Sequence, residues 1–215
     1  MKENNWFDPF YIQSHLSEEE SNIQKNVRDF CNNELKPTVV ERNRKNEFDQ
    51  DLYPKFGSLG VLGQTVKTHG GSGTSNLAYG LVAYEFEKID SSYRSSISVQ
   101  SSLVIHPINE FGSQEQKDKY LPQLIKGEKI GCFGLTESEA GSDPTSMKTS
   151  FKKTKDGYII NGSKNWITNA PIADIFIIWA IEENKGHKSI KGFIIEKNTE
   201  GLNTSTIENK TSLKI

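Results

Sequence analysis

Apolar positions in the first half of the chain recur every three or four residues, the period of a helix with one buried face. The run Ser17-Glu18-Glu19-Glu20 reads as a capping box, in which the serine hydroxyl accepts an N–H of the first turn and the third residue's carboxylate returns to the cap. Ile23, Val27, Phe30, Cys31 and Leu35 follow at helical spacing, and Pro37 marks a break or a new first turn. A shorter helix is expected over residues 52–59, stopped by Gly60. The glycines of Thr68-His69-Gly70-Gly71-Ser72-Gly73 mark a loop. From Thr74 to about Phe111 the pattern predicts one long helical tract, with Leu77, Leu81, Tyr84 and the Lys88 stem along one stripe. A last helix over 114–125 takes Ser113 as its cap and ends at Lys126-Gly127.

Beyond Gly127 the period falls to two, and β-branched and aromatic residues gather in short runs between turn residues. Strands are expected at 130–136, 149–154, 158–160, 165–168, 175–181, 190–196 and 202–207, with Lys155-Asp156-Gly157 as a hairpin turn. The fold class expected is α+β: an all-α domain over residues 1–127, then a β-barrel-like middle domain over 128–215. Residues 211–215 alternate like a further strand and then stop, so the second domain reads as incomplete. The plainer reading is that Ile215 pairs into a barrel as its terminal strand.

Length and charge narrow the function. With 215 residues and 24.2 kDa there is ample chain for a buried core, and 10% aromatic content with clear periodicity argues for folded structure. A net charge of −2 provides no positive field to hold a polyanion, which disfavours nucleic acid as a partner. Cys31 and Cys132 form no CxxC, so neither a disulfide framework nor a thiolate zinc site is expected. His15, His69 and His187 have no partners at ligand spacing, and His106, before Pro107, reads as structural. No metal is expected. The longest apolar run, 176–181, is far short of a bilayer span, and Met1-Lys2-Glu3-Asn4-Asn5 has the character of neither a signal nor a transit peptide. Cytoplasmic residence without membrane insertion is the expectation.

Three stretches carry chemistry: 131–137 (GCFGLTE), 140–144 (AGSDP) and 161–169 (NGSKNWITN). The first sets backbone N–H groups and a hydroxyl at a strand end, beside a Gly-Ser-Asp turn small enough to admit a ring or a phosphate. The last offers Trp166 as an indole plate, with the Thr168 hydroxyl on the same side of a strand two residues on. Each alone also reads as an ordinary connection or a half-buried strand aromatic.

In combination, in this order and spacing, GLTE (134–137), GSD (141–143) and WIT (166–168) resemble the flavin-binding segments of the acyl-CoA dehydrogenase family, and the helical-then-β order of the chain is similar to that family's throughout. The resemblance implies FAD as cofactor. It places Phe133, Gly134, Leu135 and Thr136 against the isoalloxazine, Trp166, Ile167 and Thr168 along the ring, and Gly141 and Ser142 where flavin and acyl-CoA meet. Donors at the ring edge would stabilise the charge that hydride arrival brings. No GxGxxG follows a predicted strand, in keeping with a flavin protein that lacks the Rossmann fingerprint.

Glu87 and Arg94 are seven residues apart, about 700° on a continuous helix, and would then share a face with room left by Gly80 and Ala83. A guanidinium there can grip a carboxylate bidentately, with Ser95 adding a bond. Equally, Arg94 reads as a helix-end arginine pairing with Glu87 or Asp90. The tract 93–108, YRSSISVQSSLVIHPI, closely resembles glutaryl-CoA dehydrogenases, which implies that Arg94 and Ser95 bind the distal carboxylate of the acyl chain while Glu87 tunes the pocket. The implied reaction is FAD-dependent oxidative decarboxylation of glutaryl-CoA to crotonyl-CoA, a step of amino-acid catabolism. It hands electrons to electron-transfer flavoprotein and is carried out by a homo-oligomer when full length. The resemblance puts the catalytic glutamate on a C-terminal helical bundle beyond residue 215, so no catalytic residue is assigned here, and the isolated chain is not expected to turn over. The alternative is a non-catalytic remnant, or a flavin- or acyl-CoA-binding module that requires a second chain.

Overall fold

Helix α1, Glu18–Phe30, begins at the expected capping box: Ser17 Oγ accepts from Glu20 N at 3.2 Å, and Ser17 N donates to Glu20 Oε2 at 3.0 Å. The other oxygen of Glu20 accepts from Ser75 Oγ at 2.7 Å, and Ser75 itself caps α4, Asn76–Glu87. One carboxylate thus fastens two helix starts. The computed structural model describes residues 8–214. Met1 to Asn5 and the terminal pairing expected of Ile215 lie outside the described residues.

After α1 the chain widens into a π-helical turn, Cys31–Leu35, and resumes as α2, Val39–Lys45, beyond Pro37. Helix α3 spans Leu52–Ser58. The tract expected as one helix from 74 to 111 is broken. Helix α4 stops at Glu87, Asp90 takes an extended backbone and caps α5, Ser91–Ser98, by accepting from Ser92 N at 2.7 Å, and a π-helical segment, Val99–Ile105, leads into α6, His106–Phe111. Pro107 lacks the N–H that an unbroken α-helix would use, and the widened turn lies immediately before it. His106 stands at this bend but is exposed, and its ring bonds to no described group.

The buried face of α4 is Ala78, Leu81, Val82, Glu85 and Phe86, whereas Leu77 and Tyr84 of the expected stripe are 47% and 52% exposed. Leu81 alone of that stripe is buried, and the turn of the face has a cause in Glu85. Its carboxylate is buried against α1, where Gln24 Nε2 (2.9 Å) and Arg28 (2.9 and 3.2 Å) reach it, and Lys88 bonds it from its own helix at 3.2 Å. Burial pushes this carboxylate up, and the bonds from Arg28 and Lys88 outweigh it and bring it below its usual range.

Helix α7, Gln114–Ile125, opens on a second capping box from Ser113 to Gln116. It ends at Gly127, where φ is +71° and any Cβ would lie 2.1 Å from the Tyr53 carbonyl oxygen. Only glycine fits there.

The sheet contains β1 (Gly131–Gly134), β2 (Ser150–Lys153), β3 (Tyr158–Asn161), β4 (Ile175–Glu182) and β5 (Lys191–Glu196). Strand β4 is central: β1 and β2 lie parallel along one edge, at its start and its end, and β5 is antiparallel along the other. The β2–β3 hairpin turns at the expected Lys155-Asp156-Gly157, closed by Thr154 N to Gly157 O at 2.9 Å. Residues 165–168 and 202–207, expected as strands, are irregular, as are the described residues of 211–215. Trp166 and Asn169 have φ of +60° and +71°, incompatible with an extended strand.

A helical layer thus packs on a mixed sheet. Tyr53, Phe56, Phe86, Ile97, Ile105 and Leu124 share one apolar core with Ile130, Ile175 and Ile177 of the sheet side. Glu196, at the end of β5, clasps α7 through Lys119 Nζ (2.7 Å) and the Tyr120 hydroxyl (2.9 Å). Cys31 and Cys132 are buried free thiols. No described helix is long and apolar enough to cross a membrane.

Candidate functional site

Strand β1 delivers Leu135, Thr136 and Glu137 at its end. Backbone bonds between Glu137 and Ala140 (3.2 Å in each direction) turn the chain toward Gly141 and Ser142, both exposed at the loop tip. Asp143 Oδ1 then accepts from Thr145 N at 3.1 Å and starts a single 3-10 turn, Pro144–Ser146. The loop closes on Glu137. Its carboxylate accepts from the N–H groups of Lys148 (2.7 Å) and Thr149 (3.0 Å), and from Lys164 Nζ at 2.8 Å. Lys164 also donates to the Leu135 carbonyl at 2.9 Å, and the two charged side chains are only 8% and 9% exposed. Burial alone would push Glu137 up, but the bonds from Lys164, Thr149 and Lys148 overcome it and hold the carboxyl at about 2. Glu137 is therefore a clamp, too weakly basic to abstract a carbon-bound proton. Glu139 is exposed and paired to Lys148.

A second loop is seated against the first. Gly162 presses on Thr149, Asn165 N donates to the Thr136 carbonyl at 2.8 Å, and Asn165 Oδ1 accepts from Trp166 N at 3.1 Å. Ile167 and Ala170 pack on the small apolar cluster of Cys132, Ala173 and Phe176 beneath them. Asn169, fully buried, donates to the Gly131 carbonyl at 3.0 Å. These ties leave the Trp166 indole 64% exposed. It faces a cleft of about 1800 Å3 between this loop, the β4–β5 face at Phe176, Ile178 and Phe193, and the segment 199–214.

Of the residues singled out from sequence, Trp166, Ile167 and Thr168 line this cleft. Leu135 and Thr136 stand directly behind it, joined to it by Lys164 and Asn165. The Phe133 ring packs into the core, edge-on to Trp179 at 6.0 Å, and a Cβ at Gly134 would lie 2.5 Å from Ile178. Neither residue lines the cleft, and both are paired with β4 in the sheet. Glu87, Arg94 and Ser95 are not on the cleft. Although the helix between them is interrupted, Glu87 and Arg94 meet: Arg94 Nε donates to Glu87 Oε2 at 2.7 Å, and Ser91 Oγ donates to Glu87 Oε1 at 2.5 Å. Ser91 foremost, and then Arg94, lower the Glu87 carboxyl below its usual range. This is the pairing that sequence offered as the alternative to an open anion site. The arginine's terminal nitrogens and the Ser95 hydroxyl bond to no described group.

The Glu137–Lys164 clamp and the buried Asn169 were not assigned roles from sequence. All three lie inside the quoted motifs, and a lysine and a glutamate flanking apolar strand ends were the available signal. Among the described residues no cluster of His, Cys, Asp or Glu could hold a metal. What the loops can do is hold a planar ring. The exposed indole supplies a stacking face, and the Thr136 and Thr168 hydroxyls, which bond to no described group, are uncommitted donors for a polar ring edge.

A helical layer is followed by a mixed sheet, and the loop between β3 and β4 holds Trp166 exposed on the cleft. The family model described as Acyl-CoA dehydrogenase, N-terminal domain, matches residues 17–128, and that described as Acyl-CoA dehydrogenase, middle domain, matches 132–215. The chain belongs to the acyl-CoA dehydrogenase family. It is 39% identical over 202 residues to a short-chain specific acyl-CoA dehydrogenase of Clostridium acetobutylicum, covering 93% of this chain and 53% of that protein. It is 38% identical over 205 residues to the mitochondrial isovaleryl-CoA dehydrogenase of Pongo abelii, covering 93% and 48%. The solved glutaryl-CoA dehydrogenase of Mycobacterium smegmatis in complex with FADH2 superposes with a TM-score of 0.91 at 39% identity, over 95% of this chain and 52% of that one. The chain spans about half the length of these relatives.

Proposed function

We propose that this chain supplies the FAD- and acyl-CoA-binding surfaces of a dehydrogenase that oxidatively decarboxylates glutaryl-CoA to crotonyl-CoA. The observation that carries the flavin part is the Trp166 platform. Its indole and the uncommitted Thr136 and Thr168 hydroxyls sit on loops held rigid by the Glu137–Lys164 clamp, as a planar ring with polar edges requires. When bound, FAD supplies the acceptor for the hydride that leaves the substrate β-carbon. The solved relative with FADH2 supports this reading.

For the substrate, Arg94 is the deciding residue. Its Nε is held by Glu87, which leaves the two terminal nitrogens and the adjacent Ser95 hydroxyl to take a distal carboxylate. The curated relatives named above are short-chain and isovaleryl enzymes, so the glutaryl assignment leans on Arg94, Ser95 and the tract around them. Gly141 and Ser142, at the exposed loop tip with open space around Gly141, are assigned to the junction of flavin and acyl-CoA. The domain division at 127/128, electron-transfer flavoprotein as acceptor, homo-oligomeric assembly, cytoplasmic residence and a role in amino-acid catabolism belong to the same proposal.

The α-proton must go to a base. Glu137 is clamped and Glu139 is paired at the surface, so neither serves. That observation favours the second reading, a binding module completed by a further segment or chain that brings the carboxylate. Mixing the purified chain with FAD, removing unbound flavin by gel filtration and recording the visible spectrum tests the flavin part. Retained yellow flavin in stoichiometric amount is expected, and colourless protein overturns it. Competition between glutaryl-CoA and butyryl-CoA for the flavin-loaded protein tests the substrate part, since equal affinities would remove Arg94 from its role.

A further inference from the structure

Two buried carboxamides meet at one residue. Gln100, on the π-helical segment, is fully buried; its Nε2 donates to the carbonyls of Leu124 (2.9 Å) and Lys129 (2.8 Å), and its Oε1 accepts from Gly131 N at 2.7 Å. From the other side, Asn169 donates to the Gly131 carbonyl. Gly131 has no room to yield, because a Cβ there would lie 2.5 Å from Val104 of the same π-helical segment. Asn169 also neighbours the buried Tyr53 hydroxyl, which shares a 2.6 Å bond with Ser96. The rod that carries Gln100 and Ser96 carries Arg94 and Ser95 a few residues earlier, and Asn169 directly follows Trp166-Ile167-Thr168.

We infer that Gln100 and Asn169 are positioning residues that lock the Trp166 platform to the helix bearing Arg94, with Gly131 as the shared joint. This deepens the flavin and acyl-CoA reading and rests on it for its functional meaning. A buried amide that loses one partner strands the groups it served, so the two grips reinforce each other. Gln100 makes no hydrogen bond to the platform loop, and its hydrogen-bonded route there runs through Gly131.

The test uses the whole 215-residue chain. Backbone hydrogen exchange is measured for Gln100→Leu and Asn169→Ala, and FAD titration is run on the same samples. Gln100→Leu is expected to speed exchange roughly tenfold at 131–136 and also at 165–170, to which it makes no hydrogen bond, while α4 stays protected. Asn169→Ala is expected to do the same at 129–131, and both variants lose FAD affinity by about tenfold. Gln100→Glu provides the rescue: protonated, its carboxyl accepts from Gly131 N and donates to one of the two carbonyls. Flavin affinity in that variant should be near wild type at acid pH and fall as pH rises, a pH profile absent from wild type. Faster exchange confined to the mutated side, or uniform across the chain, overturns the coupling. Coupled loosening with unchanged FAD affinity overturns its role in the site. Should the wild-type chain itself bind no FAD, the flavin reading falls, and the exchange pattern still decides the joint.

Discussion

Replacing Glu137 by glutamine keeps the side-chain shape but removes the charge that Lys164 and two backbone N–H groups converge on. The carboxyl is held at about 2, against 4.5 in a solvated chain, a difference worth about 3 kcal/mol at neutral pH. Because the folded value is depressed, this stability is present in full above the unfolded value and is lost as pH falls through 4.5 toward 2. The glutamine variant also leaves Lys164 buried without its counter-charge, which adds to the cost at neutral pH. Urea unfolding of both proteins between about pH 7 and about pH 2 isolates the effect, since every other carboxylate titrates in both and cancels in the difference. The wild-type advantage should be at least about 3 kcal/mol at neutral pH and shrink steadily below pH 4.5. A difference that stays flat across the acid range, or a glutamine variant as stable as wild type at neutral pH, refutes the clamp.

Three further outcomes follow from the geometry. Trp166→Ala should leave the urea midpoint essentially unchanged, because the indole is mostly solvent-facing, while abolishing flavin retention in the gel-filtration assay. Arg94→Gln should change stability by less than about 1 kcal/mol, as the Glu87 pair is partly exposed, yet erase any preference for glutaryl-CoA over butyryl-CoA in competition binding. Gly127→Ala should cost about 2 kcal/mol or more in chemical denaturation, since it brings both an unfavourable φ and a collision with the Tyr53 carbonyl.

Local chemistry was readable along the chain, and long-range pairing was not. The start of α1 was visible because a capping box is complete within four residues, and that of α7 because Ser113 is a cap residue directly before it. The β2–β3 turn was visible in Lys155-Asp156-Gly157 for the same reason. The face of α4 was misjudged because Glu85 reads as a solvent residue until Arg28 and Gln24, 57 and 61 positions earlier, are placed beside it. The break at 88–90 depends on Asp90 choosing to cap rather than continue, a choice for which its type is suited in either context. Alternation at 165–168 suggested a strand, but two left-handed residues, Trp166 and Asn169, make it a loop pinned from below. Within the site, the family's motifs marked Trp166 and Thr168 directly. Glu137 with Lys164, and Gln100 with Asn169 through Gly131, are partnerships that only the folded chain assembles.

Both native sulfhydryls are shut inside the protein, and burial pushes Cys31 up to about 12 and raises Cys132 as well. Neither has appreciable thiolate at physiological pH, so alkylating dyes will pass them by. A single Ser142→Cys exchange at the exposed loop tip would then give a reporter that reacts at one address, without first stripping the chain of its own cysteines.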